Sequence, residues 1–185
     1  VLDMAGPVEG VWKMMLDHGA GLNVLCVNAV APGLNVDDNN PSKKKLTGLW
    51  EDITRKGAIG FKVLGGHFPL TPEATRFCLE IARNKDSYFA FHVGTTKTKS
   101  DIDGFCEAAD IVGQHSAHIA HINSYCRGKD NTSLAEAFQA IDVLEKNPNI
   151  FSESYLSPMN GTSGKIMNGR PASSATAMWL KKFSF

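Results

Sequence analysis

Lys62, His92 and His121 close three successive apolar segments of this 185-residue chain. A buried lysine without a partner is costly, so such a lysine changes its protonation state or gains a partner. Two chemistries use it: a neutral amine forms a Schiff base with a carbonyl substrate, and a carbamate made with carbon dioxide supplies an anionic oxygen ligand. Because imidazole is a common ligand of divalent metals, the two histidines favour a metal site. The plain alternative is a structural role for each side chain in the core.

The segments that carry these residues have the apolar composition of strands buried on both faces. Five such segments occur, separated by amphipathic stretches, and their starts lie about 30 residues apart, the length of a β-α-β unit. The predicted strands cover residues 22–30, 58–64, 89–93, 117–122 and 150–155.

Helix signals lie between these strands. Thr71 precedes a proline and predicts a helix start, because threonine caps a first turn in which proline is tolerated. Ser100 or Asp101 is expected to cap the next helix, and Thr132 or Ser133 the last one. The apolar stripe that is expected to be buried in the last helix consists of Leu134, Phe138, Ile141 and Leu144.

Parallel strands joined by helices fit two architectures, an open doubly wound sheet or part of an eight-stranded (β/α) barrel. A nucleotide-binding glycine fingerprint would favour the open sheet. The loop at 65–69 reads GGHFP, which does not match GxGxxG, and no GxxxxGK[ST] segment occurs. The stretch NGTSG at 160–164 could cradle an anion, but a plain loop is the first interpretation, since no clear helix signal follows it.

The alternation of side chains along a strand predicts which residues face the inside of such a barrel. Lys62 and His92 share a face with small residues, whereas the large apolar residues of both strands lie on the opposite, helix-facing side. The polar residues lie towards the carboxyl ends of the strands, where barrel active sites form. In the fourth strand, alternation lets one histidine point inward. His121 is nearer the carboxyl end, and His118 is expected to pack under a helix.

Composition and charge limit the class of protein. Nineteen Lys and Arg residues balance 19 Asp and Glu residues, so nothing indicates nucleic acid or an anionic membrane as a partner. No stretch approaches the roughly 20 apolar residues that cross a bilayer. The four cysteines lie far apart without a CxxC pair, which predicts reduced thiols in a cytoplasmic protein. The first residues include no initiator Met, and the chain is therefore expected to be a segment of a longer one.

Three segments resemble strands four, five and six of the amidohydrolase superfamily: GAIGFK at 57–62, FHVGTT at 91–96 and AHINSY at 120–125. Within the superfamily, the chain is most similar to the D-aminoacylase and hydantoinase-like deacylases, over roughly residues 20–160. The resemblance implies an α/β fold, a TIM-type (β/α) barrel that is incomplete, with about strands three to seven of eight in a single domain over 1–185. It also implies a metal-dependent hydrolase that cleaves the C–N bond of an N-acyl amino acid or a cyclic amide.

The same resemblance assigns roles to individual residues. It implies that Lys62 is carboxylated by carbon dioxide and bridges metal ions, and that His92 and His121 are metal ligands, with zinc as the expected divalent metal. The metal would polarise the substrate carbonyl and lower the pKa of a bound water. Four residues follow strand ends and are candidate contacts with the small-molecule substrate, Arg127 through a carboxylate. They are His67, Asn123, Tyr125 and Arg127.

Two parts of the superfamily pattern are missing from this sequence. It contains no His-x-His motif of strand one and no aspartate after strand eight, the residue that shuttles protons. The catalytic aspartate is therefore expected to lie outside the chain, and the isolated chain to be a poor catalyst. Open sheet edges predict that the remainder of a longer chain or a homo-oligomer completes the barrel.

Two other functions stay open: a Schiff-base lyase that uses Lys62, and a non-catalytic barrel fragment that serves as a binding or assembly module.

Overall fold

The computed structural model describes residues 1–129, 131–154 and 166–171. Strands and helices alternate along most of these ranges, and none of the described helices is both long and apolar enough to cross a membrane. The elements are β1 Leu2–Asp3, α1 Val8–His18, β2 Leu25–Cys26, β3 Asn28–Val30, α2 Lys43–Arg55, β4 Gly60–Leu64, α3 Pro72–Asn84, β5 Tyr88–His92, α4 Ile102–Val112, β6 Ala117–Ile119, α5 Ser133–Lys146, β7 Ile150–Ser152, β8 Ile166–Met167 and β9 Arg170–Pro171.

The central sheet contains five parallel strands in the order β3-β4-β5-β6-β7, and a helix lies between each strand and the next. This arrangement confirms the mixed α/β fold with a parallel sheet that the spacing of the apolar segments predicted. Over the described ranges the sheet ends at β3 and β7 and does not close into a barrel. Two predicted features, the strand end at residue 155 and the glycine-rich stretch at 160–164, lie outside the described residues.

The chain divides into two compact units, Val1–Ser154 and Tyr155–Phe185. The first unit contains the five-stranded sheet and helices α1 to α5. In the second unit, β8 and β9 pair in antiparallel orientation. A single domain over the whole chain stays a prediction.

The chain begins with a strand and a helix that the sequence patterns did not predict, β1 and α1. β1 pairs in parallel with β2, while β3 pairs with β4, so the predicted strand 22–30 divides into two short strands with different partners. One residue, Val27, separates them, and its N–H donates to the Asp3 carbonyl at 2.9 Å. A two-residue strand has no readable alternation, and α1 buries just Val8 and Val11, which explains why neither element was predicted.

The helix-facing side of the sheet forms the hydrophobic core. Phe61 and Val63 of β4 pair in register with Phe89 and Phe91 of β5, and all four side chains are buried. Burial of each contributes roughly 1.5–3 kcal/mol of hydrophobic free energy. The predicted alternation is therefore confirmed for these strands, and the opposite face of β4 carries Lys62.

Side-chain caps begin three helices at predicted positions. The side-chain oxygens of Thr71, Asp101 and Thr132 accept hydrogen bonds from backbone N–H groups three residues further along, which satisfies a donor that the helix itself leaves unpaired. The cap of α4 is Asp101 rather than Ser100, and the cap of α5 is Thr132 rather than Ser133. Each cap stabilises its helix by about 1 kcal/mol. It also defines where the loop from the preceding strand ends and the helix begins.

The predicted buried stripe of α5 is wrong. Of its four residues, Leu144 alone packs against the core. The helix instead buries Glu136 and Ala140, and the Glu136 carboxylate accepts a hydrogen bond from the Gly128 N–H at 2.6 Å. This polar anchor and the small alanine decide which side of α5 faces inward, and they leave the larger side chains in solvent. The exposed residues, with their exposed fractions, are Leu134 at 67%, Phe138 at 60% and Ile141 at 47%.

Candidate metal centre

Lys62 lies in the middle of β4, on the face of the sheet opposite the hydrophobic core. Its register partner on β5 is Ala90, so the two side chains share this face, and His92 lies two residues further along. Lys62 is 2% exposed, and its Nζ is the one buried side-chain nitrogen or oxygen in the described ranges without a hydrogen-bond partner. A charged ammonium in this place would leave its three donors unpaired. The site therefore favours either a neutral amine or a group bound to it.

The pKa of Lys62 reflects this burial. Desolvation lowers the pKa from 10.5 to about 8, although the negative charge of Glu153 acts in the opposite direction. Near neutral pH, a fraction of the lysine is therefore the uncharged amine, the form that reacts with carbon dioxide or with a carbonyl carbon. The lysine thus suits both chemistries that the sequence left open.

The imidazoles of His92 and His121 face each other through ring nitrogens. His92 Nδ1 and His121 Nε2 are 2.5 Å apart, and the ring centroids are separated by 4.6 Å. At this distance one ring can donate an N–H···N hydrogen bond to the other, or both nitrogens can turn their lone pairs towards a shared cation. The other nitrogen of His92, Nε2, lies 2.7 Å from Ser100 Oγ, which allows Nδ1 to present its lone pair to the facing ring.

Both imidazoles disfavour the second proton that would make them positively charged. Burial first, and then the charges of His121 and Lys62, lower the pKa of His92 to about 3. Burial and the charge of Lys62 also lower the pKa of His121 to about 4, against the attraction of Glu153. Neutral imidazole is the form that binds metals, so these low pKa values keep both rings in a form that can bind an ion near neutral pH.

A left-handed turn brings His121 to this position. β6 ends at Ile119, and His121 has φ 42° and ψ 64°, a conformation that residues other than glycine rarely adopt. Its N–H donates to Glu153 Oε1 at 2.8 Å, and a 3-10 turn, Ile122–Ser124, follows. The regular alternation of the strand therefore ends before His121, and the turn places the ring beside His92.

His118 also lies on the site's face of the sheet, and the prediction that it packs under a helix is wrong. Its register partner on β5 faces the same side. His118 Nδ1 lies 2.8 Å from Tyr88 Oη, its Nε2 bonds to Glu153 Oε2, and its ring stacks on Phe151 with 4.8 Å between centroids. Two histidines face one side because alternation directs His118 there and the left-handed turn directs His121.

Glu153 is a site residue that the sequence reasoning missed. It follows β7 directly, and its carboxylate reaches both His118 and His121. Burial acts to raise the pKa of Glu153, but hydrogen bonds from the His118 ring and the His121 backbone outweigh that effect and lower the pKa below its usual value. The signal that could have found Glu153 is the one that found Lys62, a charged residue near the carboxyl end of a predicted strand.

Three of the predicted substrate contacts lie around this centre. His67 is exposed, with its ring centroid 5.9 Å from that of His92. Arg127 is exposed and near enough for its charge to lower the pKa of both His92 and His121. Asn123 is partly buried in the turn after β6. For these three residues, contact with a substrate stays a prediction.

Tyr125 lies in the core, and its contact with a substrate stays a prediction. It is fully buried, and its hydroxyl donates to the Ala120 carbonyl at 2.6 Å and accepts from the Val93 N–H at 3.2 Å. Its ring lies edge-on to that of His92, with 5.6 Å between centroids. The hydroxyl thus joins the ends of β5 and β6 and helps to set the distance between the two facing histidines.

The donors present here fit part of a metal site. A tetrahedral ion with bonds of about 2.0–2.1 Å to two nitrogens holds those nitrogens about 3.3 Å apart, so the rings of His92 and His121 need to separate by under about 1 Å. Lys62 Nζ, without a hydrogen-bond partner, is the third candidate donor. Among the described residues, no group of three or more His, Cys, Asp or Glu side chains is arranged to hold an ion. Two imidazoles and a lysine therefore form a partial ligand set.

Gly66→Ala is expected to weaken metal binding by displacing the His92 ring. A Cβ at Gly66 would lie 2.7 Å from His92 Nε2 and 3.3 Å from Ser100 Cβ, closer than ordinary van der Waals contact. The ring must then shift and lose its bond to Ser100, which we expect to lower zinc affinity roughly 10–100-fold. Gly21→Ala is the control, because a Cβ at Gly21 meets no atom within 4 Å. Equal zinc affinities of the two variants in chelator competition would contradict this expectation.

The fold of the chain is similar to part of a solved dihydroorotase structure, with a TM-score of 0.52 and 14% identity, over 82% of this chain and 49% of that one. A Xaa-Pro dipeptidase with bound methionine in the active site matches with a TM-score of 0.48 and 14% identity, over 80% of this chain and 39% of that one. No family model and no curated protein matches the sequence. The chain thus shares its fold with the dihydroorotase and spans about half of that protein's length.

Proposed function

We propose that this chain is the central part of a metal-dependent amidohydrolase, a barrel enzyme that hydrolyses amide C–N bonds with activated water. The observation that carries the proposal is a buried lysine amine without a partner, Lys62, whose charge acts on two imidazoles with ring nitrogens that face each other at 2.5 Å. The fold shared with part of a dihydroorotase supports the same class. We further propose an N-acyl amino acid or a cyclic amide as substrate, because the strand-end segments resemble those of deacylases.

In this proposal, His92 and His121 hold a divalent metal, zinc, through their two facing nitrogens. Lys62, carboxylated by carbon dioxide, provides an oxygen donor, which would account for an amine that is buried without a partner. When bound, the metal polarises the amide carbonyl and activates a water molecule. The remaining groups orient the reactants: Ser100 holds the far nitrogen of His92 at 2.7 Å, and the Arg127 guanidinium binds a substrate carboxylate.

Further β-α units, from a longer chain or from a second copy, would complete the barrel and the ligand set. The match to the dihydroorotase covers 49% of that chain. The described sheet ends at β3 and β7, and α5 exposes Leu134, Phe138 and Ile141. A stripe of this kind is suited to contact with the next helix of a barrel. We expect the proton-transferring aspartate to come with the added units.

Metal binding by the chain tests the proposal. Protein equilibrated with Zn²⁺ and ¹³C-labelled bicarbonate is expected to retain zinc after desalting and to show a carbamate carbon by NMR. His92→Ala should lose the zinc, whereas His18→Ala, at an exposed position of α1, should keep it. A wild-type protein with neither zinc nor carbamate would refute the metal function. Because the chain alone is expected to be a poor catalyst, binding of N-acyl amino acids and cyclic amides to the zinc-loaded protein, measured by calorimetry, would then indicate the substrate class.

A Schiff-base lyase is the second candidate, favoured by the pKa of Lys62 of about 8. An uncharged lysine amine attacks a carbonyl carbon to form the imine. Borohydride reduction in the presence of small ketones or aldehydes should then leave an adduct on Lys62, detected by peptide mass spectrometry, with the exposed Lys44 as an internal control. An adduct on Lys62 in a protein that binds no zinc would favour the lyase over the hydrolase.

A further inference from the structure

We propose that Glu153 is a positioning residue that holds His121 in the tautomer and orientation in which Nε2 faces His92. The inference rests on the proposed metal function, since this orientation matters for a cation held between the two rings. Glu153 contacts His121 twice through Oε1, which lies 2.8 Å from the backbone nitrogen and 3.8 Å from Nδ1. Its Oε2 bonds to His118 Nε2.

The tautomer follows from the charge of Glu153. An ionised carboxylate is purely an acceptor, so its proximity to His121 Nδ1 favours the tautomer that carries the proton on Nδ1. The contact of 3.8 Å is an electrostatic attraction rather than a hydrogen bond. With the proton on Nδ1, His121 Nε2 keeps its lone pair for the cation shared with His92. Carboxylates that hold the far nitrogen of a histidine ligand act in this way at metal sites.

The carboxylate is itself held in place by His118. The other nitrogen of His118, Nδ1, lies 2.8 Å from Tyr88 Oη, and its ring stacks on Phe151. Because Tyr88, His118 and Phe151 belong to three neighbouring strands, the second carboxylate oxygen is anchored to the sheet. The first oxygen then holds the backbone of His121 in its left-handed turn. Glu153 thus connects the sheet to the loop that carries the proposed ligand.

The competing explanation is that Glu153 merely braces β6 against β7. Glu153→Gln separates the two roles, because glutamine keeps an oxygen that accepts from the His121 N–H and an amide that bonds to His118, but it removes the negative charge. Glu153→Ala removes both the brace and the charge. Glu80→Gln is the matched control, since Glu80 is also partly exposed and hydrogen-bonded, to Lys43 at 2.6 Å, and it lies on α3.

The experiment records the tautomer of His121 in the metal-free protein by ¹⁵N NMR at neutral pH, and zinc affinity by chelator competition. We expect the Nδ1–H form in the wild type and in Glu80→Gln, and a shift towards the Nε2–H form in Glu153→Gln with a roughly 10–100-fold loss of zinc affinity. The inference would be overturned if Glu153→Gln kept both the His121 tautomer and the zinc affinity of the wild type while Glu153→Ala lost them. Glu153 would then merely connect β6 to β7.

The two proposals fail in distinguishable ways. A wild-type protein that binds no zinc refutes the metal function, while a tautomer shift in Glu153→Gln would still support the positioning role. A wild-type protein that binds zinc, together with a Glu153→Gln variant that keeps both tautomer and affinity, refutes the positioning role alone.

Discussion

Lys62→Met is expected to make the metal-free protein more stable at neutral pH while it abolishes metal binding. The pKa of Lys62 is about 8 in the folded chain against an ordinary 10.5. The folded state therefore binds this proton less tightly than the unfolded state, and below pH 8 the buried ammonium lowers the free energy of unfolding by about 3 kcal/mol. Methionine has a similar length and no charge. The substitution should therefore remove the destabilising buried charge and also the proposed metal ligand.

The sign of the pH dependence makes the prediction specific. Between pH 8 and 10.5, the unfolded lysine is protonated and the folded one is not, so this group makes the wild-type free energy of unfolding rise with pH. Urea unfolding of metal-free protein in buffer without carbon dioxide should show that rise in the wild type and in Lys44→Met, an exposed control. The difference between wild type and Lys62→Met should shrink over the same range. A Lys62→Met protein that retains zinc would refute the proposed role of this lysine.

The metal-free wild type is also expected to lose stability steeply in mild acid. The pKa of His92 is lowered to about 3 and that of His121 to about 4, both from an ordinary 6.5. Neutral imidazoles therefore stabilise the fold fully above pH 6.5, and this contribution declines as the pH falls through 6.5 towards the folded pKa values. For the two residues together, the loss by pH 4 is on the order of 5 kcal/mol.

His92→Asn provides the test of this acid sensitivity. Asparagine keeps a polar side chain but cannot take up a proton, so the fall in the free energy of unfolding between pH 6.5 and 4 should be about half that of the wild type. His18→Asn, at an exposed histidine of α1, should retain the wild-type slope. Glu153, whose pKa is lowered, contributes in the same direction in every variant, and the comparison between proteins removes it. Identical slopes in all three proteins would exclude His92 as the source of the acid sensitivity.

Local sequence patterns were sufficient to predict those features that residues adjacent in sequence determine. Alternation placed Lys62 and His92 on one face of the sheet, because the side chains of a strand alternate whatever its partners are. The caps at Thr71 and Thr132 were predictable for a similar reason, since a cap bonds within its own first turn. Alternation was insufficient for His121, because the strand ends at Ile119 and a left-handed turn follows.

Contacts between distant segments account for what local pattern did not predict. The bond between His118 and Glu153 joins residues 35 apart in sequence, and it depends on the pairing of β6 with β7. The orientation of α5 depends on the carboxylate of Glu136 meeting the Gly128 N–H, which an apolar stripe does not reveal. Periodicity indicates that a helix has two sides, but the available partners decide which side is buried.

The sequence alone therefore determined the order of the five strands of the central sheet, the caps of three of the helices between them and the residue types proposed as metal ligands. Each of these depends on residue type and on short-range geometry, which adjacent positions define. Tertiary structure alone decided that the nitrogens of His92 and His121 meet at 2.5 Å and that Glu153 lies behind His121. Those distances are set by strand register and by one backbone turn, and neither is encoded in the spacing of residue types along the chain.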